Sequence, residues 1–470
     1  MSHRRVAAGT GRWQAHTVPG DGGWRSGRGA RTDRLTWDRA EAAQRSVAGG
    51  LRAAGLEPGD RLLIGLAPRP EVVVLALAAC RTGIVPVLVD HALLDHERAV
   101  VDANVDAALS VDSPADAAAL LDGAPFELAP VPLVRPMHLT SGTTGRAKGV
   151  LPTGTGEAAG RAWVAEESDL WGFAPDDVHL VCGPLHHSAP LRFAAMTLLA
   201  GGDIVVPGAF SVERTVAALV EDGITTCFVV PAHLQRLLGH GGPGTTALDT
   251  SSLRLVAHAG APCPEPLKRL AIDAFGVDVL WEFYGATEGQ CTACSTPTWL
   301  EHPGTVGRAR PGRSLSVDGE GLLWCAVPDH ARFAYWRDEA ATAAAWRGDA
   351  FTVGDAGRLD AEGHLYLEGR RGEIIISGGV NVAPLEVERA LGTCPGVSDV
   401  AVFGVDDERW GQRVCAAVVG DARPEDVLAH ARERLTGPKR PKQVVVVAAI
   451  PRTARGKVRR ETLAADLGLV

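Results

Sequence analysis

"RLLIGLAPRPEVVVLALAACRTGIVPVLVD", residues 61–90, compresses strand, helix and strand into one stretch. "RLLIGLA" is a short apolar run set off by Pro-Gly-Asp and reads as a buried strand. "EVVVLALAACRTG" fits a helix ending near Gly83, and "IVPVLVD" is a strand again. Strand–helix–strand implies parallel strands joined by a crossing helix, hence a layered α/β fold. Upstream, Ala43, Val47, Leu51 and Ala54 recur at helical spacing. The residues before them are rich in Gly and Arg without a clean period, so residues 1–35 read as a poorly defined arm.

Downstream the alternation continues. "DVHLVCG", "DIVVPG", "TTCFVVP" and "LRLVAHAG" are strands, with "SVERTVAALVEDG" and "CPEPLKRLAIDAFG" as helices between them. The texture changes near residue 370, where a glycine-rich, charged stretch surrounds one apolar strand. About a hundred residues of α+β character follow. The reading is therefore a large domain of layered, mostly parallel sheets over 36–371 and a small mobile α+β domain over 372–470. No repeat of 20–50 residues is visible, which excludes a solenoid.

At 470 residues and 46% hydrophobic, the chain can bury a large core in two or three domains. Its 47 Lys and Arg against 56 Asp and Glu leave a net charge of −9, which does not advertise a nucleic-acid partner. No apolar run is long enough for a membrane span or a secretory signal, so a cytoplasmic protein is expected. Nine scattered cysteines, an odd number, suit buried reduced thiols; Cys291 and Cys294 form a C-x-x-C with no second pair to complete a zinc site.

Five clusters carry chemistry. "HLTSGTTGRAKGV" (138–150) has glycines whose amides can turn toward one anion, hydroxyls at Thr140, Ser141, Thr143 and Thr144, and a cation at Lys148. It is not the common nucleotide loop, because Lys148 follows Gly145 by three residues and Gly149 stands where Ser or Thr belongs. "EFYGATEGQ" (282–290) sets Tyr284 beside Gly285, an aromatic face for a flat base, and Glu288 as an oxygen ligand for Mg²⁺. Asp355 in "TVGD" suits ribose hydroxyls, and Arg370 in "GRRGE" is a fixed cation for ribose or phosphate. Lys457 lies in the basic run "PRTARGKVRR". Taken singly, a polar loop, a strand end or a solvated basic face accounts for each.

Together and in this order, the five clusters resemble the adenylate-forming superfamily over roughly residues 35–465. "PLHHSAPLRF", "HAGAPCP" and "ISGGVNVAPLEVE" are similar to its acyl-CoA synthetase branch. The resemblance implies ATP, Mg²⁺ and coenzyme A, with a carboxylic acid as substrate and a monomer or homodimer. It implies that Ser141, Gly142, Thr143, Thr144, Gly145 and Lys148 hold the β- and γ-phosphates. Thr287 contacts the α-phosphate, Glu288 holds the metal, and Gly260, Ala261 and Tyr284 bracket adenine and acyl pocket. Asp355 and Arg370 hold the ribose. Lys457 bridges the reacting carboxylate and the α-phosphate. His187 stands at the junction of acyl and CoA tunnels, Trp410 stacks on the CoA nucleotide, and Ser377, Gly378 and Gly379 line the pantetheine tunnel. Phe193, Val230, His233, Ala259 and Gly260 are expected to line the acyl pocket. Fatty, aryl and polycyclic acids all stay open. The hinge, usually Asp or Lys in this family, is Gly372 here, and the chain is short before the phosphate loop. A chain specialised for the thiol step alone, and a non-catalytic nucleotide-binding regulator, are the alternatives. The intact Glu288, Asp355, Arg370 and Lys457 speak against the regulator.

Overall fold

The computed structural model describes residues 4–5, 33–140, 148–239, 249–377, 380–407, 409–435, 437–452 and 458–469. The helix Pro70–Arg81 is buried along its whole length. It needs cover on every side, because every face is apolar. Leu62 and Ile64 of a flanking strand and Leu191, Ala194 and Leu198 of the helix Ser188–Leu199 share its core, so the two helices are packed between two sheets. Proline starts the first of them and Gly83, at φ +81°, follows its end.

The first sheet runs Arg4–Arg5, Leu109–Val111, Arg61–Ile64, Val85–Leu88, Met137–Thr140, Lys148–Pro152, Phe333–Tyr335. Its pairings are parallel as far as Met137–Thr140 and antiparallel beyond. The second runs Arg308–Ala309, Thr292–Ser295, Leu280–Glu282, Leu255–His258, Thr226–Val229, Val178–Val181, Asp203–Val205, Arg34–Leu35. Its five middle strands are parallel. Three of these, Val178–Val181, Thr226–Val229 and Leu255–His258, are buried at every residue, as strands covered on both faces must be. Of the N-terminal arm, Arg4–Arg5 and Arg34–Leu35 add edge strands; residues 6–32 lie outside the described residues.

A four-stranded antiparallel sheet and the two-stranded ribbon Asp355–Leu359/Leu365–Arg370 complete the large part. The smaller C-terminal domain is built on the long hairpin Val397–Asp407/Gly411–Gly420, with Ile375–Ser377 and Gln443–Val446 beside it. Val387, Leu391, Val402, Val414 and Val427 form its own core.

Periodicity did not point to two helices, Glu157–Trp171 and Ser188–Leu199. Each turns polar side chains inward, Glu167 at 2% exposure among them, and that breaks the apolar repeat. All nine cysteines are free thiols, eight of them buried. No helix among the described residues is long and apolar enough to cross a membrane.

Candidate active site

Four adjacent parallel strands deliver their C-terminal ends to one edge of the second sheet. His186 and His187 follow Val178–Val181, Val230 follows Thr226–Val229, Gly260 follows Leu255–His258, and Tyr284 follows Leu280–Glu282. Crevices beyond such strand ends are where open α/β sheets take ligands. Gly260 has φ +90°, and a Cβ there would lie 3.5 Å from Val230 Cγ1, so those two chain ends are close neighbours. His187 is the N-cap of Ser188–Leu199, its ring 4.3 Å from that of His186.

After Tyr284 the chain makes a tight turn. Gly285 bridges Gln290, while Ala286 and Gly289 exchange amide-to-carbonyl bonds of 2.9 and 3.2 Å. Thr287 and Glu288 are thereby presented at the tip. A Cβ on Gly285 would come within 2.6 Å of Gly289 O and 2.7 Å of Gln290 Cα, both backbone, so only glycine fits.

Asp355 sits where the turn meets the ribbon. Tyr284 Oη donates to its Oδ2 at 2.6 Å, and Arg370 Nε lies 3.4 Å from Oδ1. Asp355 and Arg370 are direct cross-strand partners, which fixes their separation. Burial, and the charge of Asp355, push the Tyr284 phenol well above its ordinary pKa, so it acts as a neutral donor.

A second cluster joins the two sheets. The strands Met137–Thr140 and Lys148–Pro152 pair with Thr140 opposite Lys148, and Thr140 Oγ1 donates to Lys148 O at 3.3 Å. Lys148 Nζ lies 5.2 Å from the Tyr335 ring centroid, and Tyr335 Oη donates to Glu288 Oε1 at 2.8 Å. Tyr335, on the strand next to Lys148–Pro152, was not anticipated from the sequence. Ser141, Gly142, Thr143, Thr144 and Gly145 lie outside the described residues, as do Gly378, Gly379 and Lys457.

In the C-terminal part, Ser377 is fully buried and its hydroxyl has no partner among the described residues. Trp410 sits at the hairpin tip with Arg409 and Lys442 over its ring at 5.1 and 5.0 Å. Gly372 does not have a positive φ, and a Cβ added there would meet no described atom within 4 Å, so packing does not demand glycine at that position.

Two acyl-pocket candidates are occupied with other work. Phe193 is fully buried among Trp171, Phe173, Phe228 and Phe283, as an aromatic core residue. His233 stacks on Phe210 with centroids 4.0 Å apart, and burial lowers its pKa to about 4. Ala259 is buried at its strand end.

A cavity lies behind the Thr287–Gly289 turn and reaches Ser188 and Arg192 on one helix and Glu167 on another. Four arginines line it: Arg135, Arg192, Arg310 and Arg313. Arg310, 1% exposed in its side chain, binds Glu167 Oε1 at 3.0 Å and Gln290 Oε1 at 2.7 Å. Arg313 pairs with Glu166, which also binds His330 Nε2 at 2.7 Å. Burial opposes ionisation of Glu167, but Arg192 and Arg310 outweigh it and hold its pKa below the ordinary value. Burial pulls Arg135 and Arg313 down to about 10, still cationic at neutral pH. Burial lowers His138, also on the wall, to about 4 and so leaves it neutral. None of these charges stood out in the sequence. "ARPGR" has the composition of a solvated turn, and the carboxylate partners of its arginines lie more than 140 positions away.

Comparison with known proteins finds the AMP-binding enzyme family over residues 12–133 and 136–323, and its AMP-binding enzyme C-terminal domain over 386–457. The chain is 32% identical to feruloyl-CoA synthase of an Amycolatopsis species over 466 residues, 90% of this chain and 92% of that protein. It is 36% identical to indoleacetate–CoA ligase of Aromatoleum aromaticum over 344 residues, 68% of this chain but 65% of that protein. Among solved structures it resembles ATP-bound MatB from Rhodopseudomonas palustris at 28% identity and a TM-score of 0.79, covering 92% of this chain and 93% of the other. o-Succinylbenzoate CoA synthetase from Bacillus subtilis with its acyl-adenylate matches at 25% identity and a TM-score of 0.79, over 91% and 93%.

Proposed function

The chain belongs to the AMP-binding enzyme family, in its acyl-CoA synthetase branch, and on that premise we propose that it is an acid–thiol ligase that joins a carboxylic acid to coenzyme A, driven by ATP cleavage. The observation that carries the reading is the Tyr284–Asp355–Arg370 group, a carboxylate held rigidly at the sheet edge where it can accept from a pair of vicinal hydroxyls. Across from it, Lys148 and the Thr287–Glu288 turn supply the cation and donors that a polyphosphate needs.

In the first half-reaction an oxygen of the acid attacks the α-phosphorus of ATP, pyrophosphate leaves, and a mixed anhydride forms. Positioning and charge stabilisation do most of this work. Asp355 and Arg370 would orient the ribose, Thr287 would donate to the α-phosphate, and Lys148 with residues 141–145 would take the outer phosphates. Lys457 would bridge the acid's carboxylate and the α-phosphate. Glu288 fits a hard cation: Tyr335 takes one carboxylate oxygen and leaves the other for Mg²⁺, which when bound would offset phosphate charge. In the second half-reaction the CoA sulfur attacks the acyl carbon and AMP leaves. We place the domain boundary at Arg371–Gly372, with His187, Ser377 and residues 378–379 along the thiol's path and Trp410 against the CoA nucleotide. Gly372 would let the C-terminal domain rotate without a side chain to favour either orientation. The named relatives act on indoleacetate, ferulate and 2-succinylbenzoate, which favours an acid bearing an aromatic ring.

The test is acid-dependent exchange of labelled pyrophosphate into ATP. Robust exchange, lost in Lys457→Ala, is expected. Exchange that is absent with every carboxylate, while CoA still captures a supplied acyl-adenylate, would mean that only the thiol step survives.

A further inference from the structure

The cavity behind Thr287–Gly289 carries more buried donors than its own acceptors satisfy. Six side-chain atoms of its lining residues are buried without a hydrogen bond among the described residues. Two of them, Arg192 Nε and Glu167 Oε2, face each other as an ion pair at 3.5 Å; the others are Arg192 Nη2, Arg310 Nε, Arg313 Nε and Gln290 Nε2. These last four are all N–H donors. Exposure of Arg310, Arg313 and Glu167 side chains is 1%, 6% and 3%, so bulk water does not satisfy them. Buried donors without acceptors are costly, and uncompensated buried charge more so.

The charges point the same way. Arg135, Arg192, Arg310 and Arg313 face Glu166, Glu167 and Glu288, a surplus of one positive charge. The surplus grows when a cation neutralises Glu288. His138 on the cavity wall and His330, which binds Glu166, are held below their ordinary pKa, by burial first and by neighbouring arginines. Held neutral, they leave the charge surplus to the arginines. Arg192 carries the argument furthest. Its ion-pair partner among the described residues is Glu167, at 3.5 Å, and that carboxylate also serves Arg310 at 3.0 Å.

We propose that the acid activated at this site carries a second carboxylate, bound in this cavity by Arg192 together with Arg310, Arg313 and Gln290. The inference rests on the ligase reading above and names the substrate class for that same site. A carboxylate offers four lone-pair sites in a plane, which matches the guanidinium fork and the donor surplus. The helix sets the spacing. Ser188, in the first turn beyond His187, and Arg192 both line the cavity on one helix face, and four residues rise about 6 Å. A spacer of one aromatic ring or a short alkyl chain fits between the two carboxylates. A hydrocarbon tail of equal length would leave the same donors unpartnered, and sites built to hydrogen-bond a substrate group discriminate strongly against analogues lacking it.

The experiment measures acid-dependent pyrophosphate exchange with purified full-length protein and paired acids. Each pair differs only in a distal carboxylate against a methyl group: 3-(4-carboxyphenyl)propanoate with 3-(4-methylphenyl)propanoate, and adipate with hexanoate. The dicarboxylate of at least one pair should exceed its partner by roughly 100-fold or more in kcat/KM. Arg192→Leu should collapse that ratio toward unity, and Arg192→Lys should restore part of it. Arg192→Gln serves where Arg192→Leu does not fold, with the melting temperature as the check. Exchange with the methyl-tailed acids equal to or above that with the dicarboxylates overturns this proposal and leaves the ligase reading standing. So does a ratio unchanged by loss of Arg192. Exchange with none of the acids, nor with a broader carboxylate panel, overturns both.

Discussion

Lys268 offers a direct test of how the site's strands are held. It is 1% exposed, and its Nζ lies 3.2 Å from Glu282 Oε2 and 2.5 Å from His258 Nε2. Glu282 and His258 end the two strands that lead into Tyr284 and Gly260. Burial, and then the Lys268 charge, push the His258 pKa well down, so its neutral ring accepts from the ammonium. Lys268→Met keeps most of the volume but leaves the Glu282 carboxylate, 6% exposed, without its nearest cation. Arg389, which also feels Glu282, softens the loss without replacing the contact. Breaking a buried pair from one side costs about 3–5 kcal/mol, and a fall in melting temperature on the order of 10 °C should follow. Removing both charges in Lys268→Met/Glu282→Met should recover most of the loss, because no buried charge is left over. Tryptophan fluorescence in urea reads this part of the molecule, since ten of the eleven tryptophans precede residue 372. A single variant within 1 kcal/mol of the parent at pH 7, or a double variant no more stable than the single, would refute the reasoning.

Three further outcomes are expected. Gly285→Ala forces a Cβ against backbone at 2.6 and 2.7 Å and should open the Thr287–Glu288 turn, costing about 1–3 kcal/mol and at least tenfold in pyrophosphate exchange. Gly319→Ala, with open space around it, should stay within about 0.5 kcal/mol of the parent in the same melts. Stability should also fall as pH drops from 6.5. Burial lowers His138 to about 4 and His179 to about 3, so the unfolded chain takes up protons that the folded chain refuses. Their contribution is complete above 6.5 and is lost on the way down to those values, at up to about 1.4 kcal/mol per pH unit for each. Equal denaturation midpoints at pH 7 and pH 5.5 would contradict it.

Much of the fold was legible in the sequence because it rests on local signals. Residues 61–90 carry their strand–helix–strand pattern within thirty positions, and the core they build is the one their periodicity implies. The grouping of Tyr284, Gly285 and Asp355 at one place was legible for a related reason. Gly285, Tyr284 and Asp355 do work that only a few residue types can do, at turns and strand ends that the chain itself marks. Phe193 was not legible in the same way, because its type suits an acid pocket and an aromatic core equally, and only the structure shows the aromatic rings around it.

The sequence by itself determined the layered α/β class and the order of the motifs that resemble the family's, since periodicity, glycine punctuation and residue chemistry act over short spans. The tertiary structure alone decided what the cavity is. Arg135, Glu167, Arg192, Arg310 and Arg313 come from separate segments as much as 178 positions apart, and each looks like an ordinary surface charge in its own segment. Residues of the helices Glu157–Trp171 and Ser188–Leu199 and of the Thr287–Gly289 turn meet around them in one cavity. Burial, which no local pattern encodes for a charged residue, turns solvated arginines into a set of donors that requires an acceptor.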